Sequence, residues 1–108
     1  ESLSANTTGK RNTALGKSAL AANTTGEYNV AVGALSGDAL TTGSLNTALG
    51  YYTLSAATTA LSNTAIGGQA LAVTTTGAYN TSIGANTLVA NTTGAFSVAV
   101  GSRTCFKV

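Results

Sequence analysis

The sequence predicts an all-β protein that folds as a parallel β-solenoid with 17 residues in each coil. Three observations lead to this prediction. A five-residue motif returns at a constant interval, large and small side chains alternate within the motif, and Gly and Thr residues punctuate the rest of each repeat. Because six occurrences keep one register without an insertion or deletion, biased composition does not explain the pattern.

The repeated motif has the form Asn-x-Ala-x-Gly, with small variations. It begins at residues 12, 29, 46, 63, 80 and 97, so every interval is 17 residues. Stacked coils explain this constancy, because one inserted residue would turn every later side chain to the opposite face. Each coil then lies about 4.8 Å from the next, so that six to seven coils of 17 residues would rise roughly 30 Å.

The motif itself predicts a short β-strand. In its second copy, Tyr28, Val30 and Val32 alternate with Asn29 and Ala31, and alternation with β-branched residues is typical of strands. The Gly that follows ends the strand, and a Thr-Thr-Gly sequence marks a turn in the second half of the coil. We expect a second short strand and a second turn in each coil.

Two apolar columns are expected to fill the interior. The first takes the large residue at the fourth position of each motif: Leu15, Val32, Leu49, Ile66, Ile83 and Val100. The second is a leucine column further along the coil: Leu20, Leu54, Leu71 and Leu88. Burial of each such side chain contributes roughly 1.5–3 kcal/mol. Cys105 stands in the leucine column, where a buried apolar role is expected.

The polar repeats are predicted to be structural. The motif asparagines are expected to form a ladder of amides that hydrogen-bond between coils: Asn12, Asn29, Asn46, Asn63 and Asn80. Ligand binding is the alternative for this column. The Thr-Thr pairs are expected to form turns. Ice binding is the alternative for these pairs, although adjacent Thr residues in a strand would point to opposite faces.

Four Asn-x-Ser/Thr sequons occur, at Asn6, Asn23, Asn80 and Asn91. Such sequences matter only if the chain passes through a glycosylating secretory pathway. Because they arise easily in a repeat rich in Thr and Asn, modification is not expected.

The composition argues against an enzyme. Charged residues make up 7% of the chain, against about 25% in an ordinary soluble domain. With three carboxylates, no His and one Cys, we predict no catalytic residue, metal site or cofactor. A net charge of +2 is far from the basic stripe that nucleic-acid binding requires. No apolar run reaches the roughly 18 residues of a membrane span.

Association of several chains is expected, because a slim coil cannot hide all the apolar residues and a small domain is marginal alone. We predict a homotrimer in which the small motif residues, such as Ala14 and Ala31, permit close approach between chains. Residues 1–101 are assigned to the solenoid. Residues 102–108, where Arg103, Cys105, Phe106 and Lys107 depart from the repeat, are assigned to a cap or junction. Uncovered coil ends would favour end-to-end stacking.

The repeat resembles two groups of known proteins. Asn-x-Ala-x-Gly followed by Ala-Leu and Asn-Thr-Thr-Gly is similar to repeats of viral and phage tail-fibre proteins. The segment Ser97-Val98-Ala99-Val100-Gly101 resembles the head repeats of trimeric autotransporter adhesins of the YadA type. The resemblance covers essentially the whole chain, and it implies a left-handed β-roll with three chains packed side by side. The period is longer than in many adhesin heads, which favours the fibre.

These observations predict a structural segment of an extracellular trimeric fibre or spike, on a virion or a cell surface, that supports host attachment. A host-surface receptor or glycan is a further expected partner. Three alternatives remain open: a bacterial trimeric adhesin head that binds surfaces or matrix, a self-stacking filament resembling functional amyloid, and an ice-binding protein.

Overall fold

The computed structural model describes residues 1–105 as one stack of coils, and it confirms the predicted all-β parallel solenoid. Six strands of three residues each form one sheet in chain order. Their bounds are β1 Thr13–Leu15, β2 Val30–Val32, β3 Thr47–Leu49, β4 Thr64–Ile66, β5 Thr81–Ile83 and β6 Val98–Val100. All the pairings are parallel, and none of the described residues is helical.

The strand register reproduces the sequence period. Thr13 lies opposite Val30, and Val30 lies opposite Thr47, so each residue sits over its equivalent one repeat later. Hydrogen bonds outside the strands follow the same rule, as when Leu20 N donates to Ser36 O at 3.1 Å. The coils are therefore joined around their circumference and not only through the sheet.

The predicted second strand does not form in the described residues. At that point the leucine column adopts left-handed backbone, with φ of 51° at Leu20 and 52° at Leu54 and Leu71. Neighbouring side chains of a strand point to opposite faces. Ala19 and Leu20 are adjacent, yet both are 0% exposed. The left-handed turn is what brings both side chains inside.

The two faces of each strand are reversed relative to the prediction. The small central residue points inward, and Ala31, Ala65 and Ser82 are 0% exposed. The expectation that the aliphatic column fills the interior is therefore wrong. Its members are exposed or half-buried: Leu15 67%, Leu49 38%, Ile83 37% and Val100 63% exposed, with Val32 and Ile66 intermediate.

The narrowness of the coil explains the reversal. The leucine column reaches the centre from the opposite wall, with Leu20, Leu54 and Leu71 at 0% and Leu88 at 2% exposure. These leucines and the strand alanines form one buried cluster. A strand facing a full column of leucines has room only for Ala or Ser, so its larger residues point to solvent.

Between Leu20 and Leu54 the column lacks a leucine, and neighbouring leucines close the gap. Gly37 occupies the position, with φ of 58°. A Cβ at Gly37 would lie 3.1 Å from Leu40 Cδ1 and 3.2 Å from Leu20 Cδ2. Leu40 is 1% exposed, so a leucine from another column of the coil supplies the missing apolar volume.

The described part of the predicted cap continues the repeat. Arg103 N donates to Ala85 O at 2.9 Å, and Leu88 N donates to Thr104 O at 3.1 Å, as in the earlier coils. Cys105 is exposed, against the expectation of a buried residue, because no described coil covers it. Phe106 and Lys107, which were assigned to the same cap, lie outside the described residues.

The glycine that ends each strand permits the coils to approach one another. Gly67 has φ of 114°, a conformation that other residues rarely adopt. A Cβ at this position would lie 2.6 Å from Gly84 C in the next coil. A side chain here would therefore strain its own backbone and push the next coil away.

The adjacent glycines Gly67 and Gly68 provide a matched test of this close approach. Gly67→Ala is expected to lower the free energy of unfolding by about 2–4 kcal/mol, because backbone strain and overpacking add. Gly68→Ala is the control, since its Cβ would meet only Tyr51 O, at 3.9 Å. We expect the control to change stability by less than about 1 kcal/mol. Urea denaturation followed by circular dichroism measures both, and equal losses would contradict the packing argument.

Candidate functional surfaces

The motif asparagines lie inside the solenoid as a continuous ladder. Asn29 is 0% exposed, Asn46, Asn63 and Asn80 are 1% exposed, and Asn12 is half-buried. Each Oδ1 accepts the backbone N–H of the next residue in the column at 2.9–3.0 Å. Each Nδ2 donates to a turn carbonyl of the next coil at 2.8 Å. The amides are occupied by the fold, and this geometry favours the structural role over ligand binding.

The ladder is expected to be sensitive to removal of one amide. The side chain of Asn63 accepts a hydrogen bond from Asn80 N and donates one to Gly77 O. Asn63→Ala removes both bonds and leaves these two backbone groups without their side-chain partner. We expect the free energy of unfolding to fall by about 2–4 kcal/mol, because each buried unsatisfied group costs about 1–3 kcal/mol. The control is Thr59→Ala at an exposed turn position, with an expected change within about 0.5 kcal/mol. Chemical denaturation measures both, and a neutral Asn63→Ala would show that the ladder does not support the fold.

Four of the threonine pairs use the hydroxyl of their first threonine within the fold. In four of the pairs the first threonine donates its Oγ1 hydrogen to the threonine carbonyl of the next coil, at 3.0–3.3 Å. The donors are Thr7, Thr24, Thr41 and Thr75. Because these hydroxyls bridge coils, the geometry favours the turn role for the first threonine of these four pairs.

The outward side chains of β1–β6 form an apolar surface, which we call the outer strand face. It contains two columns, one of aliphatic residues and one of Thr and Val. The aliphatic column is Leu15, Val32, Leu49, Ile66, Ile83 and Val100, and the second column is Thr13, Val30, Thr47, Thr64, Thr81 and Val98. None of these side chains is charged. Sequence reasoning missed this surface because it placed the aliphatic column in the core.

Aromatic residues border the outer strand face at the turns before β2, β5 and β6, and we call them the aromatic edge. Tyr28 is 47% exposed, Tyr79 50% and Phe96 78%, and each has φ of 57–58°. The rings of Tyr79 and Phe96 stack with centroids 5.1 Å apart and planes 5° from parallel. Each of these two rings covers one face of the other, and the stacked pair extends the apolar surface.

The surface of the central coils carries no formal charge. Between Asp38 and Arg103 the sequence contains no Asp, Glu, Lys or Arg. Net repulsion between copies of a protein depends on such charges, and an uncharged surface favours association. Any partner that docks on these coils is therefore held by apolar contact and neutral hydrogen bonds.

Two buried oxygen atoms of the described residues have no hydrogen-bond partner, Asn23 Oδ1 and Asp38 Oδ1. Asn23 Nδ2 donates to Asn6 Oδ1 at 2.9 Å and to Gly26 O at 3.1 Å. The equivalent residue in the next coil is Leu40, whose side chain has no donor, so this second amide column stops at Asn23. Burial raises the pKa of the Asp38 carboxyl above its ordinary value of 3.8, against an opposing hydrogen bond from its own backbone.

The raised pKa of Asp38 predicts a pH-dependent stability. The folded state holds this proton more tightly than the unfolded chain, so the free energy of unfolding falls as pH rises above 3.8. Asp38→Asn is expected to be more stable than the wild type at neutral pH. The difference is expected to shrink toward acid pH, where Asp38 is protonated in both states. Urea titrations across this pH range measure it, and a difference that stays constant with pH would refute the assignment to Asp38.

The described residues contain no metal-ligand cluster: no three His, Cys, Asp or Glu side chains within 1–105 are grouped to hold an ion. In the same part of the chain, no helix has the length and hydropathy needed to cross a bilayer. Comparison with known proteins finds no family model, curated protein or solved structure that matches the chain. The candidate sites therefore rest on the outer strand face, the aromatic edge and the uncharged central coils.

Proposed function

We propose that this chain is a structural segment of an extracellular trimeric fibre or spike, of the kind found in viral and phage tail fibres, that supports attachment to a host. The observation that carries the proposal is an apolar, uncharged outer strand face that repeats without interruption along six strands. The resemblance of the repeat to tail-fibre and adhesin-head sequences supports the same assignment. Its role is mechanical, and no reaction is assigned to it.

The outer strand face supports the association of three chains. The sequence pattern suggested that Ala14 and its equivalents lie between chains, but those residues face the solenoid interior. The aliphatic column takes their place as the contact surface, with Leu49 38% and Ile83 37% exposed in the middle of the stack of a single chain. Contiguous apolar surface of this kind marks a site of protein association. Three chains related by a threefold axis would bury these columns together.

The pattern of contacts suits a stiff spacer. Strands pair only with the strand before and the strand after, as in other repeat proteins. Backbone bonds, the asparagine ladder and threonine hydroxyls all cross each junction between coils. Lengthening such a stack adds reach along one axis without changing its cross-section, which is what a fibre that holds a receptor-binding tip away from a surface requires.

The aromatic edge favours one alternative, a bacterial adhesin head that binds a surface or matrix directly. Exposed Tyr28, Tyr79 and Phe96 lie beside the outer strand face, and exposed aromatic residues are enriched in protein contact sites. A trimer that leaves this edge in solvent would retain it for a neutral partner such as a glycan or an uncharged protein surface. The adhesin head shares the trimeric fold of the first proposal and differs in what it contacts.

Placing charge on the outer strand face tests the trimer. The wild-type domain is expected to sediment as a trimer. The double variant Leu49→Glu/Ile83→Glu is expected to sediment as a monomer with its β-structure retained, because both side chains already point outward. The matched control is Thr59→Glu on an exposed turn, which we expect to leave the trimer intact. Analytical ultracentrifugation and circular dichroism measure the mass and the fold.

A monomeric wild-type domain would overturn the trimer. If filaments form instead, their mass per length distinguishes the alternatives, because a single solenoid has 17 residues per rise of about 4.8 Å and a trimer has three times that mass. A variant trimer that survives both glutamates would show that the chains meet through another surface.

A further inference from the structure

The fold buries the asparagine of three of the four sequons of this chain. Asn23 is 0% exposed, Asn80 is 1% exposed and Asn91 is 5% exposed, whereas Asn6 is exposed. Glycan-bearing asparagines lie on protein surfaces because the attached saccharide is bulky and hydrated. The buried sequons are therefore incompatible with a glycan in the folded state.

Hydrogen bonding makes the incompatibility chemical as well as steric. Asn80 Nδ2 donates to Gly94 O at 2.8 Å and to Asn63 Oδ1 at 3.1 Å, so both of its hydrogens are engaged. Asn91 Nδ2 donates to the same Gly94 O at 3.2 Å. The side-chain amides of both sequon asparagines therefore donate to the same turn carbonyl.

Glycosylation would remove one donor hydrogen from each modified amide. The transferase takes the saccharide from a lipid-linked diphosphate, forms a bond between the anomeric sugar carbon and Nδ2, and breaks the bond from that carbon to the diphosphate. The amide gives up one proton, and the lipid diphosphate leaves with the electrons of the broken bond. At Asn80 the lost hydrogen is one of two that the ladder uses, and the saccharide would occupy the position of the next coil.

We infer that folding of this domain and N-glycosylation at Asn23, Asn80 or Asn91 exclude one another, so that the chain folds only where no oligosaccharyltransferase acts on these three sites. Unfolded chain presents all four sequons, and a glycan added at Asn23, Asn80 or Asn91 would prevent the coils from closing. The inference stands on burial and hydrogen bonding, independently of the fibre assignment. For an extracellular protein it means export or release by a route that avoids the glycosylating compartment.

The test compares two forms of the chain in two hosts. In the triple variant Thr25→Ala/Ser82→Ala/Thr93→Ala, all three buried sequons are removed while their asparagines are kept. Thr25 and Thr93 are exposed, and Ser82 stands where all five other motif copies have Ala. After Ser82→Ala, Thr87 Oγ1 keeps its bond to Gly84 O at 2.8 Å. Both forms are first made in a bacterial cytosol without N-glycosylation, where we expect equal yields of folded domain.

Both forms are then directed to the secretory pathway of a eukaryotic cell by an added signal peptide. We expect the yield of soluble, thermolysin-resistant wild type to fall at least about tenfold below that of the triple variant, since one lost buried bond is a large part of a marginal stability. An inhibitor of lipid-linked oligosaccharide synthesis is expected to restore the wild type. Occupancy of exposed Asn6 in the triple variant, measured by mass spectrometry, confirms that the chain met the transferase.

Two results would overturn the inference. One is folded wild type carrying glycan at Asn23, Asn80 or Asn91. The other is wild type recovered at the yield of the triple variant with these sites unmodified, which would show that folding outpaces transfer. If the triple variant fails to fold in the bacterial cytosol, the yield of wild type with and without the inhibitor is the deciding measurement. A restored yield of folded wild type supports the inference, and an unchanged yield refutes it.

Discussion

Register between successive coils is the constraint on which the rest of this structure depends. Each strand pairs with the strand one repeat later, and the asparagine amides, threonine hydroxyls and turn backbones bond from each coil to the next. A change in the length of any coil would break all of these contacts at once. This explains why the repeat carries no insertion in six copies, although turns in most proteins tolerate them.

The same register allows a backbone that would be costly in isolation. Eighteen of the residues that the structure describes have positive φ without being glycine, and left-handed backbone costs about 1–2 kcal/mol for each such residue. The cost is offset because the left-handed residues make bonds to a neighbouring coil, as Tyr28 N does to Lys10 O at 3.1 Å. A single coil would carry the strain without the bonds, so stability arises from stacking and not from any one repeat.

The narrow coil links this backbone to the proposed function. Left-handed turns direct the leucine column inward, the leucines leave space only for Ala and Ser on the strand, and the large aliphatic residues are displaced to the outer strand face. With no charge between Asp38 and Arg103, the part of that face on β3–β6 belongs to coils without charged side chains, which favours association of copies of the chain. The surface proposed for association is thus a consequence of how the interior is filled. The same tight packing buries the sequon asparagines Asn23, Asn80 and Asn91.

The sequence by itself determined the period, the parallel stacking, the position of each strand and the asparagine column, because all of these follow from spacing. It could not determine which face of a strand is inside, since alternation has two phases and Tyr28, Val30 and Val32 satisfy either one. The tertiary structure decided which face points inward, because the leucine column on the other side of the coil leaves room only for small side chains on the strand. It also replaced the expected second strand with a left-handed turn at Leu20, because hydrogen bonds to a neighbouring coil offset the free-energy cost of that backbone conformation.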